Sequence, residues 1–186
     1  MAIRTILEAP DPLLKRISRP VESFDDELKA LVADMFETMY DAPGIGLAAI
    51  QIDVPLRVVV VDLQDRGEPE STEQEEIEGK EAPPREPNPR IFINPELLDP
   101  SPEYSVYSEG CLSVPDIYAD VERPAEVRLR WQDLEGEWHE EAMSGMMATC
   151  IQHEMDHLEG ILFIDHLSRL KRNMALKKLE KARKAA

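Results

Sequence analysis

Cysteine is scarce in this chain, with Cys111 and Cys150 the only two in 186 residues. Two thiols provide no disulfide framework of the kind that holds small secreted domains together. No apolar run approaches the roughly 20 residues that a membrane-spanning helix needs. The N-terminus has one Arg and an early acid, and it matches neither a secretory signal nor a transit peptide. We therefore expect a cytoplasmic protein with reduced thiols and no membrane partner.

Basic residues are outnumbered, with 21 Lys and Arg against 38 Asp and Glu and a net charge of −17. Eight of the basic residues lie within residues 169–186 beside one Glu, so this tail carries +7 and the remainder carries −24. An acidic body argues against DNA binding, whereas the basic tail is a candidate contact for RNA or another polyanion. The length fits a single domain over residues 1–186.

A run of acids interrupts the middle of the chain. Residues 65–87 hold nine acids, three bases, four prolines and no aromatic residue, and such a composition buries too little apolar surface to order itself. We expect a flexible acidic insertion at about residues 65–90. Around it, short β-branched and apolar runs predict strands. The predicted strands are 56–63, 90–95, 104–108, 117–121, 125–132 and 137–143.

Two amphipathic helices are predicted at either end of these strands. The first covers residues 24–40, where apolar side chains recur at helical spacing. The last covers residues 168–184, with Leu170, Met174 and Leu179 toward the body and Lys and Arg outward. The basic tail is therefore expected to present its charges to solvent.

The segment His153-Glu154-Met155-Asp156-His157 indicates a metal site. Residues four apart stand on the same face of a helix, so His153 and His157 can offer two ring nitrogens to one metal ion. Glu154 stands beside them with a carboxylate for proton transfer. Two surface histidines on an ordinary helix are the simpler interpretation. The helix is predicted over residues 144–158, and the fold is expected to be α+β. In that fold, antiparallel strands wrap around this central helix, with an N-terminal and a C-terminal helix beside them.

A catalytic metal site also needs a third protein ligand and an open position. Cys150 lies about 7.5 Å along the helix axis from the level of the metal, which a cysteine side chain cannot span, so it fits a small core residue. Cys111 follows a strand and a glycine and is the better candidate, as a thiolate. His166 and Glu180 stay open as alternative ligands.

A glycine-rich segment, Gly44-Ile45-Gly46-Leu47-Ala48-Ala49-Ile50-Gln51, is the second unusual stretch. Glycine lets another chain approach the backbone closely. No Lys-Ser or Lys-Thr pair follows, which excludes a phosphate-binding P-loop. The segment is either a tight stretch that lies against a substrate backbone and presents Gln51, or a plain turn into a strand.

Three segments together resemble the signature motifs of the peptide deformylase family: residues 44–51, Glu109-Gly110-Cys111-Leu112-Ser113 and residues 152–157. Residues 35–40 and 93–96 are also similar to the bacterial family. The resemblance implies removal of the formyl group from N-formylmethionine on newly made polypeptides, with release of formate. It also implies one divalent metal ion, Fe²⁺ in the cell with Zn²⁺, Ni²⁺ or Co²⁺ tolerated. The ligand types alone would have suggested Zn²⁺.

The resemblance also implies a role for individual positions. The metal ligands would be Cys111, His153 and His157. Glu154 would transfer protons, and the side-chain amide of Gln51 and the backbone N–H of Leu112 would stabilise an oxyanion. The formylated peptide would bind extended, like an added strand. Its binding positions would be Gly44, Ile45, Gly46, Gly110, Met146 and Cys150.

The chain departs from the common bacterial pattern around the site. Tyr118 stands where many members have an Arg, and Tyr107 and Thr149 stand where aliphatic pocket residues are common. Glu109 and Arg123 match positions that pair in the family, which predicts a structural ion pair.

Two other functions compete with this interpretation. A metallopeptidase would use the same helix with His166 or Glu180 as third ligand. A non-enzymatic module would keep a structural metal and dock on the ribosome through its basic tail, since the C-terminal segment of the bacterial family can contact ribosomal RNA. A solvated helix face is the simpler interpretation of those charges. Closed structural metal sites usually have four protein ligands. Three are easily found here, which argues against a purely structural metal.

Overall fold

The computed structural model describes residues 2–64 and 86–185, so most of the predicted acidic insertion at about 65–90 lies outside the described residues. Within them the elements follow one another in the order α1 (Asp26–Asp41), β1 (Gly46–Ala48), β2 (Val58–Val61), β3 (Arg90–Leu98), β4 (Tyr104–Cys111), β5 (Val114–Pro124), β6 (Glu126–Gln132), β7 (Trp138–Ser144), α2 (Gly145–Leu158) and α3 (Arg169–Ala185). Short 3₁₀ helices lie at Pro12–Lys15, Ala49–Ile52 and Phe163–His166. None of the helices in these residues combines the length and the apolar character that crossing a membrane requires.

The strands form two antiparallel sheets. Five strands pair in the order β1-β2-β3-β6-β7, and β4 pairs with β5 in a separate two-stranded sheet. The β4–β5 hairpin is longer than predicted, because the pairing continues down to Cys111 and Val114 beside its turn. β2 is shorter than predicted. The fold is α+β, with antiparallel sheets and three helices.

The valine strand β2 is buried on both faces. All four of its side chains are fully buried, and successive side chains of a strand point to opposite sides. The odd-numbered valines pack in a core cluster with Ile151 of α2, and the even-numbered valines pack in a second cluster with Met35 and Met39 of α1. The larger sheet therefore lies between two helices, which explains why β2 reads as an unbroken apolar run.

Helix α2 lies at the junction of the two sheets. It contacts β1, β2, β6 and β7 of the larger sheet and β5 of the hairpin. Ser144 is its N-cap, and Gly160, with a φ of 73°, follows its end. A Cβ at Gly160 would lie 2.4 Å from the Lys15 carbonyl oxygen, so glycine is required by packing as well as by conformation.

Helix α3 packs on the body through a narrow stripe. Ala175 and Leu179, four residues apart, are its buried side chains, and they join a third core cluster with residues of β5 and the segment Phe163–His166. The predicted inward positions of Leu170 and Met174 are wrong, since these side chains are 71% and 61% exposed. On a regular helix this pair lies about 140° around the axis from the buried pair Ala175 and Leu179.

The buried carboxylate of Asp62 joins the two described stretches of chain. Its Oδ1 accepts hydrogen bonds from the backbone N–H groups of Gln64, at 2.8 Å, and Asn88, at 3.0 Å. Its Oδ2 accepts a hydrogen bond from the Tyr40 hydroxyl. The backbone N–H of Asp62 donates to the Ile45 carbonyl at 2.8 Å. One side chain therefore holds residues 64 and 88 together at the end of β2.

Candidate metal centre and active site

A cavity of about 490 Å³ opens beside β1, β4 and α2. Its wall includes Cys111, His153 and Glu154, and Gln51 also borders it. Every position predicted to bind substrate lies on this wall as well. Those positions are Gly44, Ile45, Gly46, Gly110, Met146 and Cys150. The three sequence motifs, which are far apart in the chain, therefore meet around one cavity.

Three ligand atoms converge at the base of this cavity. The Sγ of Cys111 and one ring nitrogen each of His153 and His157 all lie within 4.8 Å of one another, and Cys111 Sγ is 3.3 Å from His157 Nε2. The histidines stand on successive turns of α2, and Cys111 ends β4. One thiolate and two imidazoles form a donor set that suits Zn²⁺ or Fe²⁺. These three side chains therefore form a candidate site for one metal ion.

The alternative third ligands lie elsewhere. His166 Nε2 is 2.8 Å from Asp156 Oδ2, and Glu180 pairs with Lys184 on α3 at 3.1 Å. Neither belongs to the ligand group formed by the described residues, so the structure does not bring either alternative ligand to the two histidines. Cys150 is also outside the group. Burial raises the pKa of its thiol well above the usual value.

A buried ionic network holds the first histidine of the pair. Glu109 accepts hydrogen bonds from Arg123 Nε and Nη2 at 2.7 and 2.9 Å, which confirms the predicted ion pair. The same carboxylate is 2.9 Å from His153 Nδ1, and Arg123 Nη1 donates to Asp156 at 2.8 Å. Because Glu109 occupies Nδ1, the other ring nitrogen of His153 remains available to a metal. Burial alone would raise the pKa of Glu109, but the bonds from His153 and Arg123 outweigh burial and lower it.

The other histidine is held in its neutral form. Burial, and then the neighbouring His153 and Arg123, lower the pKa of His157 well below its usual value. Neutral imidazole is the form that binds metals. The local electrostatics therefore favour His157 as a ligand.

Glu154 lies beside the ligand cluster, and burial raises its pKa to about 7. Its Oε1 is 4.0 Å from His153 Nε2, and its Oε2 is buried without a hydrogen-bond partner among the described residues. A Cβ at Gly46 would lie 2.6 Å from Glu154 Oε1, so only glycine permits this close approach. A carboxyl group with a pKa near neutrality can both accept and donate a proton.

The side chain of Gln51 is fixed toward Cys111. Its Oε1 accepts a hydrogen bond from the Ala48 N–H at 2.9 Å, and its Nε2 donates to Ser113 Oγ at 3.0 Å and lies 3.6 Å from Cys111 Sγ. Sequence reasoning missed this role of Ser113, which is fully buried. The one available signal was a small hydroxyl residue two positions after the predicted ligand.

The loop after β4 packs closely on the glycine-rich segment. Leu112 follows Cys111 there, and a Cβ at Gly44 would lie 2.7 Å from Leu112 Cδ1. Gly44 therefore keeps the predicted oxyanion donor Leu112 and the predicted substrate segment in contact.

The outer part of the cavity is lined by residues that the sequence did not place together. Tyr118 covers Gly110, where a Cβ would lie 2.6 and 2.7 Å from its Cε1 and Cδ1 atoms. Asp116 lines the cavity beside Tyr118 and was not singled out. Tyr107 and Thr149 line it too. Asp116 precedes the strand predicted at residues 117–121 and has a φ of 61°, so strand alternation could not predict its place beside Tyr118.

The fold and this site define a class of protein. A Cys-His-His cluster with a neighbouring carboxyl group, at the base of an open cleft, is typical of metal-dependent hydrolases. The family model described as polypeptide deformylase matches residues 3–173. The chain therefore belongs to the peptide deformylase family.

Individual relatives and solved structures agree with this assignment. The chain is 70% identical to a peptide deformylase of Novosphingobium aromaticivorans over the full length of both, and 69% identical to one of Rhizorhabdus wittichii over all of this chain and 98% of the relative. The crystal structure of a peptide deformylase from Legionella pneumophila is similar with a TM-score of 0.83 and 41% identity, covering 99% of this chain and 97% of that one. A peptide deformylase from Ehrlichia chaffeensis, solved in complex with actinonin, is similar with a TM-score of 0.83 and 37% identity over 98% of both chains.

Proposed function

We propose that this chain hydrolyses the formyl amide of N-formylmethionine at the N-terminus of newly made polypeptides and releases formate. The observation that carries the proposal is the position of Glu154. Its buried carboxyl group stands next to three converging ligand atoms at the base of a cavity. The family assignment supplies the reaction, and the geometry supports the role of each side chain.

Cys111, His153 and His157 would hold one divalent metal ion, which we propose to be Fe²⁺ in the cell, with Zn²⁺, Ni²⁺ or Co²⁺ as substitutes. When bound, the metal supplies Lewis-acid chemistry that activates water and polarises a carbonyl group. Support comes from the donor set and from the Glu109 carboxylate that orients His153. The antiparallel strands of both sheets that contact α2 would enclose this helix and keep its ligands rigid.

Glu154 would carry the proton through the reaction. It accepts a proton from the attacking water as oxygen adds to the formyl carbon. It then delivers the proton to the leaving nitrogen when the carbon–nitrogen bond breaks. The products are formate and a free amino terminus. A pKa of about 7 suits both steps.

Two hydrogen-bond donors would stabilise the oxyanion that forms on the former formyl oxygen. They are the Nε2 group of Gln51, oriented by Ala48 and Ser113, and the backbone N–H of Leu112. Donors that are already oriented need no reorganisation during the reaction, and the loss of one such donor costs about 3 kcal/mol of barrier.

The substrate would bind as an extended strand between two free strand edges. β1, which contains Gly46, is an edge strand of the larger sheet, and β4, which contains Gly110, is an edge of the hairpin. Gly44 and Ile45 precede β1 along the same path. Backbone pairing of this kind is independent of side chains, which suits many downstream sequences.

The methionine side chain would fill the part of the cavity next to α2. Met146 and Cys150 are four residues apart on that helix, and both line the cavity wall. Residues four apart share a face of a helix. Met146 and Cys150 together therefore offer an apolar, polarizable surface to the methionine side chain of the substrate.

We also infer a single catalytic domain over residues 1–186, acting in the cytoplasm, where a thiolate ligand such as Cys111 stays reduced. The acidic insertion at about 65–90 would be a surface segment. The basic residues of α3 are exposed, because its buried side chains are Ala175 and Leu179. They would make salt-sensitive contacts to phosphate groups of the ribosome. Ribosome binding that is unchanged by deletion of 169–186 would overturn the last point.

The test is formate release from a short N-formylmethionyl peptide amide, with protein purified without oxygen. Glu154→Gln should lower kcat by about 10²–10⁴-fold because the proton carrier is lost, while metal content by elemental analysis stays the same. Glu159→Gln is the matched control, since this exposed residue lies one turn beyond the site and pairs with Arg57. Cleavage of an internal peptide bond without formate release would instead indicate a metallopeptidase.

A further inference from the structure

His166 stands at the outer end of a chain of hydrogen bonds that starts at the proposed metal ligand His153. Next to the ligand, the Glu109 carboxylate is 2.9 Å from His153 Nδ1 and accepts two bonds from Arg123. Arg123 Nη1 then donates to Asp156 Oδ2 at 2.8 Å, and His166 Nε2 is 2.8 Å from that same oxygen. The exposed fraction of the side chain rises from 5% at Arg123 to 23% at Asp156 and 38% at His166. The chain of bonds therefore leads from the candidate metal site to solvent.

The outermost bond of this chain fixes Asp156. A carboxylate only accepts hydrogen bonds, so His166 Nε2 is the donor. Asp156 lies in the last turn of α2, where the negative end of the helix dipole disfavours an acid. Two donors from other elements hold it there, Arg123 on β5 and His166 on the segment Phe163–His166. Without His166 one donor would remain, and the carboxylate could turn toward water.

The short 3₁₀ turn that carries His166 also contacts the ligand ring directly. The ring of Phe163 stacks on that of His153, with 6.0 Å between the ring centroids and 26° between the planes, within the range of favourable aromatic pairs. Phe163 and His166 are three residues apart, and such residues share one side of a 3₁₀ helix. Asp165 fixes the turn itself, because its Oδ2 accepts a hydrogen bond from the Leu162 N–H at 2.9 Å. One turn therefore acts on His153 both through stacking and through the chain of hydrogen bonds.

We propose that His166 is a positioning residue for the ligand His153. It fixes the Asp156–Arg123 pair, which in turn directs the Glu109 carboxylate at the imidazole. Bonds in such a chain polarise one another, so the loss of the outermost donor is felt at the inner end. The proposal rests on the proposed function and its metal site, and it gives His166 a role other than that of a third ligand.

The expected effect is a faster loss of metal at nearly unchanged stability of the fold. Groups that directly orient a metal-binding histidine change metal affinity by about 10–100-fold. His166 acts through intervening side chains, so its loss should accelerate metal dissociation by a smaller factor, about three- to tenfold. Because His166 is partly exposed, the midpoint of urea unfolding of the metal-free protein should change little.

The experiment uses the full chain loaded with Co²⁺, whose visible absorption reports the geometry of its ligands. His166→Leu removes the donor, and it should accelerate Co²⁺ release into a chelator and shift the visible bands. His166→Gln keeps an N–H donor near the position of Nε2, so it should restore both the release rate and the spectrum. A residue that only filled space would be replaced as well by Leu as by Gln.

The matched control is His139→Leu. His139 forms the same kind of pair, with its Nε2 2.6 Å from Asp133 Oδ2, and its side chain is similarly exposed, at 46%. Asp133 accepts its other bonds from the backbone N–H groups of Glu135 and Glu137 in its own turn, away from the ligand cluster. Co²⁺ release and the visible spectrum should therefore match the wild type.

A double variant tests the route of the effect. If His166 acts through Asp156, then Asp156→Asn should already accelerate Co²⁺ release. Adding His166→Leu to Asp156→Asn should then produce little further change, since the link between His166 and Arg123 is already weakened.

Equal release rates for wild type and His166→Leu would overturn the proposal, and so would a failure of His166→Gln to restore the rate. Full additivity of the two changes in the double variant would overturn the route through Asp156. A protein that binds no Co²⁺ would overturn this proposal and the proposed metal site together. Metal binding without formate release would overturn the proposed reaction alone, because the release rates are measured without substrate.

Discussion

Helices α2 and α3 show two opposite ways to use polar residues. Ten of the 14 residues of α2 are buried, including His153, Glu154 and His157. Only Ala175 and Leu179 are buried in the 17-residue helix α3, whose charges face water. In α2 a buried polar atom without a partner, such as Glu154 Oε2, costs free energy, whereas in α3 the solvent serves as the partner. The chemistry of the molecule is concentrated where burial makes each polar group costly.

The largest effect that would sharpen this contrast is expected at Arg123, beside α2. Arg123→Ala leaves Glu109 and Asp156 without their buried partner, and removing one member of a buried ion pair costs about 3–5 kcal/mol. The free energy of unfolding, from urea titration, should fall by that amount. His153 should also lose its orientation, so metal dissociation into a chelator should accelerate.

The matched control is Arg128→Ala, because Arg128 pairs with Glu140 in an ion pair whose side chains are 46% and 45% exposed. Exposed pairs contribute about 0–1 kcal/mol. Equal losses for the two variants would contradict the assigned importance of the buried network.

A second comparison lies within α3 itself. Leu179→Ala removes a side chain that is 3% exposed, and a buried Leu-to-Ala change costs about 2–5 kcal/mol. Met174→Ala alters a side chain that is 61% exposed, so the change should stay within about 0.5 kcal/mol. Thermal and urea unfolding of both variants measure the difference. A larger loss for Met174→Ala would restore the original prediction that this residue faces the body.

The smallest effect concerns Asp165, which lies between α2 and α3. Burial would raise its pKa, but the Leu162 N–H, Lys15 and Arg172 outweigh burial and lower it. Because its folded-state pKa is lowered, the ionised Asp165 contributes its full stabilisation at pH values above its unfolded-state pKa. That contribution is lost as the pH falls through the lower, folded-state pKa. Between neutral pH and about pH 3, the wild type should therefore lose more stability than Asp165→Asn, by about 1 kcal/mol for such partly exposed pairs. Equal acid sensitivity in urea titrations would contradict this.

Much of the fold follows from local patterns in the sequence. The spacing of apolar residues in α1, the unbroken valines of β2 and the glycine after α2 each reflect a physical requirement that acts within a few residues. The grouping of Cys111 with His153 and His157 was accessible as well. Two ligands are fixed by helical spacing, and the reach of a cysteine side chain excluded Cys150.

Other features depend on contacts between distant segments and could not be derived from local patterns. The inward stripe of α3 depends on how the helix sits against β5, so Leu170 and Met174 could not be distinguished from Leu179 by hydrophobicity alone. The bond from Gln51 to Ser113 joins the 3₁₀ helix Ala49–Ile52 to the turn between β4 and β5. The position of Tyr118 over Gly110 depends on the register of the β4–β5 hairpin, in which a shift occurs between Glu109 and Cys111.

The carboxylate of Asp62 has a consequence for the evolution of this chain. Because it binds the backbone N–H groups of Gln64 and Asn88 together, the ends of the intervening segment are set by the core and are independent of the segment's length. For any flexible connection between two fixed points, each doubling of length costs only about 0.6 kcal/mol. A change in the number of residues between Gln64 and Asn88 would leave both anchoring bonds in place, so we expect this position to accept a genetically inserted epitope or reporter peptide.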